Sequence, residues 1–386
     1  MPLTIWVWTK YFWPDAQWVM PGRSHFGSDF VNFWSGGRFA ANGMVATAYD
    51  VAAYKAQLRE WFAPAIHFTN FSYPPSLLLW LTPFAALPFL WSFTLWSLLG
   101  IAAFLYAVLH RRPTLADTCL IVLLLVSPIL ISNILFGQIT LFAALAYIAA
   151  MRLLPTHPAW AGVCIGLLSL KPQLGLLIPF FLLAIGAWTT IATAAATTLV
   201  LASLSITLFG TGPWHTYLTD TAAVQWSYIL TMDGFYAYHM TTPYAGFWVL
   251  GFPVRTALAL HAAIAAVIVL ATISVARSAC TWPLKSTLLG FGMVMLMPYS
   301  LAHDLALPLV ALLWHLRSET RPLTTIEQWG TTLLWMLPFP LAFVLPMAGI
   351  PATSFALIAA YVLLLKRAAE QDSRIFTLPT WSHRPA

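Results

Sequence analysis

The chain has 386 residues, of which 60% are hydrophobic and 8% charged, with a mean hydropathy of +0.79; soluble domains carry about 25% charged residues. Its repeated apolar runs of about 20 residues indicate membrane helices and exclude a β-barrel. The net charge of +6 gives no case for nucleic acid, because the cations flank apolar runs. Cys119, Cys164 and Cys280 lie inside apolar runs without metal or disulfide spacing, and no Walker loop, dinucleotide fingerprint or zinc motif occurs. This argues against an ATP-driven pump.

In chain order, residues 1–20 are aromatic and amphipathic, but Lys10, Pro14 and Asp15 interrupt them. They lack the apolar stretch and cleavage site of a signal peptide, and read as a poor first span or the remainder of one shortened by a late start. Residues 21–72 form the first long polar loop. Within it, Asp29–Asn42 is expected to lie along the interface as a helix, with Phe30, Phe33, Trp34 and Phe39 toward lipid. Tyr49–Trp61 reads as a second such helix, with Lys55, Arg59 and Glu60 toward water. Tyr73-Pro-Pro75 opens a span, since proline is tolerated at a helix start. Residues 76–109, broken at Pro83 and Pro88, are either a kinked span with an interfacial piece or a tight hairpin at Leu87–Leu90. Further spans are expected near 116–134, 138–153, 159–170, 173–188 and 189–209. After a second polar loop (210–245), rich in Trp, Tyr and His, spans follow near 255–276, 284–299, 305–316, 330–346 and 351–366. A basic tail (367–386) closes one continuous membrane domain (1–386).

Charge sets orientation. Alternating sides from Arg111 and Arg112 onward puts those two with Arg152, Arg277, Lys285, Arg317, Arg321, Lys366, Arg367, Arg374 and Arg384 on one face. Lys171 and Arg255 are left on the other. The richly basic face is therefore expected to be cytoplasmic. Gly137-Gln138, Lys171-Pro172, loop 210–245 and His303-Asp304 fall on the opposite, extracytoplasmic side. Loop 21–72 joins them if 76–109 crosses an odd number of times.

Ionisable groups within or beside apolar runs are functional suspects. Asp29 is either a general base at the membrane edge or, after Ser28, a helix cap. Arg38, nine residues on and so about 180° around a helix, is a headgroup contact or a snorkelling cation. Lys171, a lone cation against the positive-inside trend, suits a lipid phosphate; ordinary snorkelling is the alternative. Gly137 permits a tight turn, and Gln138 offers hydrogen bonds to sugar hydroxyls. His303 and Asp304 open an apolar span, to hold a phosphate or sugar or to cap a helix. Asp233, ahead of Asp220, sits among aromatic residues that suit either carbohydrate stacking or an interfacial belt. Asn32 and Tyr73 flank the same region as further substrate contacts. No metal is expected; a pair such as Asp29 with Asp304 is the arrangement that would bind one.

These motifs, taken together, carry a family resemblance. Asp29 in Gly27-Ser-Asp-Phe-Val-Asn-Phe-Trp34, Gly36-Gly-Arg38, Asn42-Gly43 and Ala48-Tyr-Asp50 resemble the first-loop pattern of glycosyltransferase family 87. So do Tyr73-Pro-Pro75, Pro83, Leu87-Pro88, Gly137-Gln138, Ala161-Gly162 with Gly166, Lys171-Pro172, and Met297-Pro-Tyr with His303-Asp304, over about residues 27 to 315. The resemblance implies an all-α polytopic bundle of the GT-C type with its active site on the extracytoplasmic face; the apolar runs give it about 11–13 spans, with interfacial helices in the first loop. It implies an inverting hexosyltransferase, mannose being the leading sugar. The donor would be a polyprenyl-phosphate sugar and the acceptor a lipid or glycan, so no cofactor is needed. In such enzymes the first-loop aspartate is the expected base, here Asp29; Lys171, His303 and Arg38 are the phosphate candidates. The chain departs from the family in having no full span before that aspartate.

The reading is thus a multi-pass glycosyltransferase of the cell (inner) membrane, working on the extracytoplasmic face, with the bilayer, the lipid-linked donor and the acceptor as partners. Two alternatives stand beside it. A flippase or transporter of lipid-linked sugars would show internal repeats and broken mid-membrane helices. A non-catalytic glycolipid-binding subunit would tolerate loss of the Asp29 carboxylate.

Overall fold

Proline stands at the start of many of the helices in this chain. The structure, a computed structural model, describes residues 27–62, 71–110, 114, 117–231, 238–319, 321–336 and 342–376. The expectations placed on residues 1–20, Arg111, Arg112, Asp233 and the tail beyond 376 lie outside the described residues. Among the described residues there is no strand, only an isolated bridge between Met240 and Leu301. The protein is an all-α polytopic membrane protein.

The first polar loop folds into α1 (Ser28–Ala41), α2 (Val45–Tyr49) and α3 (Val51–Trp61). The single helix expected over Tyr49–Trp61 is broken at Asp50, whose carboxylate caps α3 by accepting from Ala53 N at 2.8 Å. The aromatic residues of α1 do not face lipid. Phe30, Phe33, Trp34 and Phe39 are buried in a second core, against Tyr54, Phe71, Phe93 and Trp96. Edge-on and tilted ring pairs hold it, such as Phe33 on Tyr73 (5.0 Å) and Phe39 on Trp61 (4.9 Å).

Tyr73-Pro-Pro75 opens only a short helix, α4 (Pro75–Leu81), followed by a 3-10 turn at Phe84–Ala86. Pro88 then starts α5 (Phe89–Leu109), the one helix in 76–109 long enough to cross a membrane. Next come α6 (Thr118–Leu125) and α7 (Pro128–Phe136), bent by 48° at the break before Pro128. They are followed by α8 (Thr140–Leu153), α9 (Pro158–Leu167), α10 (Ile178–Ala184) and the long α11 (Trp188–Phe209). The loop 210–245 is itself largely helical: α12 (Gly212–Thr216), a π turn, α13 (Ala222–Thr231) and, at its end, α14 (Pro243–Val249). The chain closes with α15 (Val254–Arg277), α16 (Trp282–Leu296), α17 (Ala306–Ser318), α18 (Thr325–Met336), α19 (Ala342–Met347) and α20 (Ala352–Gln371).

Four of these helices (α5, α11, α15 and α20) are long and apolar enough to span, and the α6–α7 pair makes a fifth if it is one bent crossing. The count of 11–13 spans came from apolar runs. Many of those runs fold as shorter helices: α8, at 14 residues, is about 21 Å long, against a hydrocarbon core of about 30 Å.

The main core joins α5, α8, α10, α16, α17 and α20. The most extensive helix pair is α9 with α11, and small residues make it possible. A Cβ added at Gly166 would sit 2.5 Å from Thr197 Cβ and 2.9 Å from the Ala194 carbonyl oxygen. We predict that Gly166→Val forces α9 and α11 apart and destabilises the detergent-solubilised protein by about 1–3 kcal/mol. Thermal unfolding checks this, and an unchanged midpoint would mean that the contact is loose.

Candidate active site

The polar residues scattered through the sequence converge where one end of the bundle meets the first loop. Gly27, in a left-handed conformation (φ 68°), turns the chain into α1 and donates its N–H to Leu135 O at 3.0 Å. Gly137, also left-handed (φ 66°), ends α7. A side chain there would strike Phe30, so only glycine lets α1 lie so close. Trp96 Nε1 fixes this turn by donating to Gly137 O at 3.0 Å.

The turn presents Gln138, which is buried and donates its Nε2–H to Asp29 Oδ2. Two residues on, Thr140 begins α8. Its hydroxyl donates to Asp304 Oδ1 at 3.0 Å and lies 3.0 Å from Lys171 Nζ. Lys171, between two 3-10 turns (Leu168–Leu170 and Pro172–Leu174), also pairs directly with Asp304 Oδ1. Asp304 Oδ2 accepts from Leu301 N at 3.1 Å and from Ser300 Oγ at 3.4 Å, so the cap and the ion pair use the same carboxylate. His303 Nε2 stands 3.7 Å from Asp304 Oδ1, and the His303 carbonyl accepts from Asn133 Nδ2 at 3.1 Å. Lys171, His303 and Asp304 are 4%, 6% and 2% exposed, while Asp29 keeps partial access to the surface.

Two carboxylates therefore sit in one cluster with opposed acidities. Both lie outside the spanning helices. Burial pushes Asp29 up to about 6, although Lys171 and the Gln138 hydrogen bond oppose it. Burial also acts on Asp304, but Lys171 and the bonds around that carboxylate overcome it and hold Asp304 down to about 2. Burial lowers the His303 imidazole to about 3, which leaves it neutral. Such a split is how one site keeps a weak acid ready to exchange a proton and a strong one fixed as a counter-ion.

The remaining sequence candidates are spread around this cluster. Asn32 Oδ1 accepts from the Tyr54 hydroxyl, one turn along α1 from Asp29. Tyr73 packs on Phe33, and its carbonyl accepts from the Tyr49 hydroxyl at 2.9 Å. Arg38 is exposed in the last turn of α1, with its guanidinium over Trp34 (5.0 Å) and Trp61 (5.5 Å). Nine residues of helix put it about 13 Å along the axis from Asp29, outside the cluster. Thr140, the hub of the buried pair, went unnoticed in the sequence, as did Asn133 and Ser300. The second loop is tied to the frame of the site by Thr241 N to Ser300 O (3.0 Å) and to the segment before α4 by Gln225 Nε2 to Ser72 Oγ (2.7 Å).

A polytopic bundle with a carboxylate at the edge of a buried charge cluster fits a membrane glycosyltransferase. The sequence profile of glycosyltransferase family 87 matches residues 71–300, more than half of the chain, and the chain belongs to that family. The matched stretch holds Gln138, Thr140 and Lys171; Asp29, His303 and Asp304 lie beyond its ends. Neither a curated protein nor a solved structure gives a match.

Two stability measurements test the electrostatics. Because the folded protein raises the Asp29 pKa, this group's contribution is best at low pH and declines as pH rises through about 6. At about 1.4 kcal/mol per pH unit, ionised Asp29 costs the fold at most about 3 kcal/mol at neutral pH. We predict that Asp29→Asn, which keeps an acceptor for Gln138, unfolds at a higher temperature than wild type near neutral pH. The gap should close toward about pH 4, and a lower midpoint at neutral pH would reverse the assignment. Lys171→Met should cost about 3–5 kcal/mol by leaving Asp304 buried and unpaired. Lys171→Met with Asp304→Leu should recover most of that loss; a double variant as unstable as the single one would place the stabilisation elsewhere.

Proposed function

We propose that the protein transfers a hexose, mannose being the leading choice, from a polyprenyl-phosphate sugar to a lipid or glycan acceptor, with inversion at the anomeric carbon and Asp29 as general base. One observation carries this reading. Asp29 is partly exposed, is in hydrogen-bond contact with buried Gln138, and lies within the electrostatic reach of Lys171 and Asp304. An acceptor hydroxyl can reach it, and a base with a pKa near 6 is ionised at neutral pH yet still takes up a proton.

In the proposed step the acceptor oxygen gives its proton to Asp29 and bonds the anomeric carbon. The bond from that carbon to the donor phosphate breaks, and the phosphate leaves with the electron pair. Lys171 is the cation we assign to the phosphate, since it belongs to the same cluster and has a third N–H beyond those directed at Thr140 and Asp304. His303 is a neutral second contact. Gln138 Oε1, buried and without a partner among the described residues, suits a sugar hydroxyl. Family membership favours transfer over transport or mere binding.

We assign the site to the extracytoplasmic face of the cell membrane. The single long helix in 76–109 makes one crossing between loop 21–72 and the basic Arg111–Arg112 pair, which fits the charge bias of the sequence.

Membranes carrying wild type or Asp29→Asn, matched for amount, should be given radiolabelled polyprenyl-phosphate mannose and scored for labelled endogenous lipid. Wild type should transfer and Asp29→Asn should lose about a hundredfold or more. Wild-type activity should fall about tenfold per pH unit below about pH 6, as the base is protonated. Equal transfer by the two proteins would remove Asp29 from the mechanism.

A further inference from the structure

Two hydrogen-bonding atoms of α1 are left over once the contacts of the site are made. Asp29 Oδ2 accepts from Gln138, while Asp29 Oδ1 has no hydrogen-bond partner among the described residues. Asn32 Oδ1 accepts from the Tyr54 hydroxyl, while Asn32 Nδ2 has no such partner either. Neither atom is sealed off: both belong to the surface that Asp29 and Asn32 still present, and neither is among the buried atoms left without a partner. Three residues apart, the two side chains are neighbours on α1, with Cβ atoms about 5–6 Å from each other.

Tyr54 decides which end of the amide is left over. Its ring is fully buried in the second core, where it packs on Phe39 at 5.8 Å. Among the described residues its hydroxyl bonds only Asn32. With the amide reversed, the phenol would accept from Nδ2, and its own proton would be buried without an acceptor, which is unfavourable. Burial, with a smaller push from the Asp29 carboxylate, also holds the phenol well above its usual range, so Tyr54 keeps its proton and remains a donor. The amide oxygen is thereby committed to the core and the N–H donors are left beside Asp29.

We propose that Asn32 binds the acceptor substrate through the oxygen next to the attacking hydroxyl, that Tyr54 is its positioning residue, and that the acceptor therefore bears hydroxyls on adjacent carbons, as a sugar or other polyol does. The inference rests on Asp29 being the base. One hydroxyl donates to Asp29 Oδ1, passes its proton there and bonds the anomeric carbon while the phosphate leaves. The neighbouring oxygen accepts from Asn32 Nδ2, so the acceptor is held by two adjacent groups rather than one. A hydrogen bond from Asn32 to the attacking oxygen itself would occupy a lone pair and weaken the nucleophile. An alcohol with a single hydroxyl would leave the amide unpaired, and a site built to bond a hydroxyl discriminates against a molecule that lacks it. A phosphate beside the attacking oxygen would set its charge against the Asp29 carboxylate.

The test uses the full chain in nanodiscs, radiolabelled polyprenyl-phosphate mannose, and a dilution series of total lipid extract from the membranes in which transfer is scored. Periodate cleaves the bond between adjacent hydroxyl-bearing carbons. Treating the extract with it should lower acceptor capacity about tenfold or more, relative to extract given quenched periodate. Asn32→Ala should raise the half-saturating amount of extract about three- to tenfold. Tyr54→Phe, which keeps the ring in the core, should raise it about two- to fivefold. In both variants the half-saturating donor concentration and the acid limb of the pH profile near 6 should stay as in wild type; a merely structural role would move these as well. Extract that keeps its acceptor capacity after periodate overturns the proposal, and this arm needs no variant to fold. So does an unchanged requirement for extract in Asn32→Ala, or an equal rise in the requirement for donor; each of these leaves Asp29 as the base. Wild type without transfer, or Asp29→Asn transferring as well as wild type, overturns the proposed function and this inference with it.

Discussion

The buried ion pair between Lys171 and Asp304 is the constraint around which this end of the molecule is arranged. Taking two charges out of water costs several kcal/mol per ion, and their attraction repays it only when the remaining hydrogen-bonding capacity is also met. Here Thr140 serves both partners at 3.0 Å, and the amide of Leu301 and hydroxyl of Ser300 complete Asp304. Meeting these requirements brings together the start of α8, the paired 3-10 turns around Lys171 and the turn before α17. Asn133 on the His303 carbonyl and Thr241 on the Ser300 carbonyl then hang further elements on the same frame. The pair also sets the chemistry next to it. Lys171 and the Gln138 hydrogen bond pull the Asp29 carboxyl down, but burial outweighs them, Asp304 adds a smaller push in the same direction as burial, and Asp29 reaches about 6.

The parts of this arrangement that were legible in the sequence are those that cost energy to place. Asp29, Gln138, Lys171, His303 and Asp304 stand out in a chain with 8% charged residues, and all five meet in one cluster. Arg38 also stood out. A cation can satisfy itself on exposed indole faces, though, and it does so over Trp34 and Trp61. Thr140 was invisible for a related reason. A threonine in an apolar helix normally bonds its own backbone, as Thr193 does to Thr189 O and Thr197 to Thr193 O. Nothing in sequence separates Thr140 from these, except that it follows Gln138 by two.

The direction of apolar side chains was similarly unreadable. Lipid and protein interior are both apolar, so hydropathy alone does not say that Phe30, Phe33 and Phe39 pack on Tyr54, Trp61 and Trp96 rather than on acyl chains. Run length also overstates the number of long helices. A proline at a helix start divides an apolar run without making it polar, as Pro128 and Pro158 do at α7 and α9. Class and architecture were legible because they depend on total apolar content; the number of long helices was not, because it depends on where the backbone hydrogen bonding breaks.

On the proposed mechanism, the charge balance of the cluster explains why the base and the buried pair belong together. With His303 neutral and two carboxylates, Asp29 and Asp304, facing the one cationic side chain of the ion pair, the cluster carries one net negative charge. A donor phosphate arriving beside it meets that charge, which does not favour tight ground-state binding. As the acceptor proton moves onto Asp29, the cluster becomes neutral at the moment the departing phosphate gains charge. Negative charge is thereby shifted from the carboxylate to the leaving group, past a lysine whose position Asp304 and Thr140 already hold. An ammonium fixed before the reaction need not reorganise during it, and it acts most strongly on charge that develops only in the transition state. Burial of the pair thus supplies a fixed ammonium, while burial of Asp29 itself leaves that carboxylate basic enough to accept the proton.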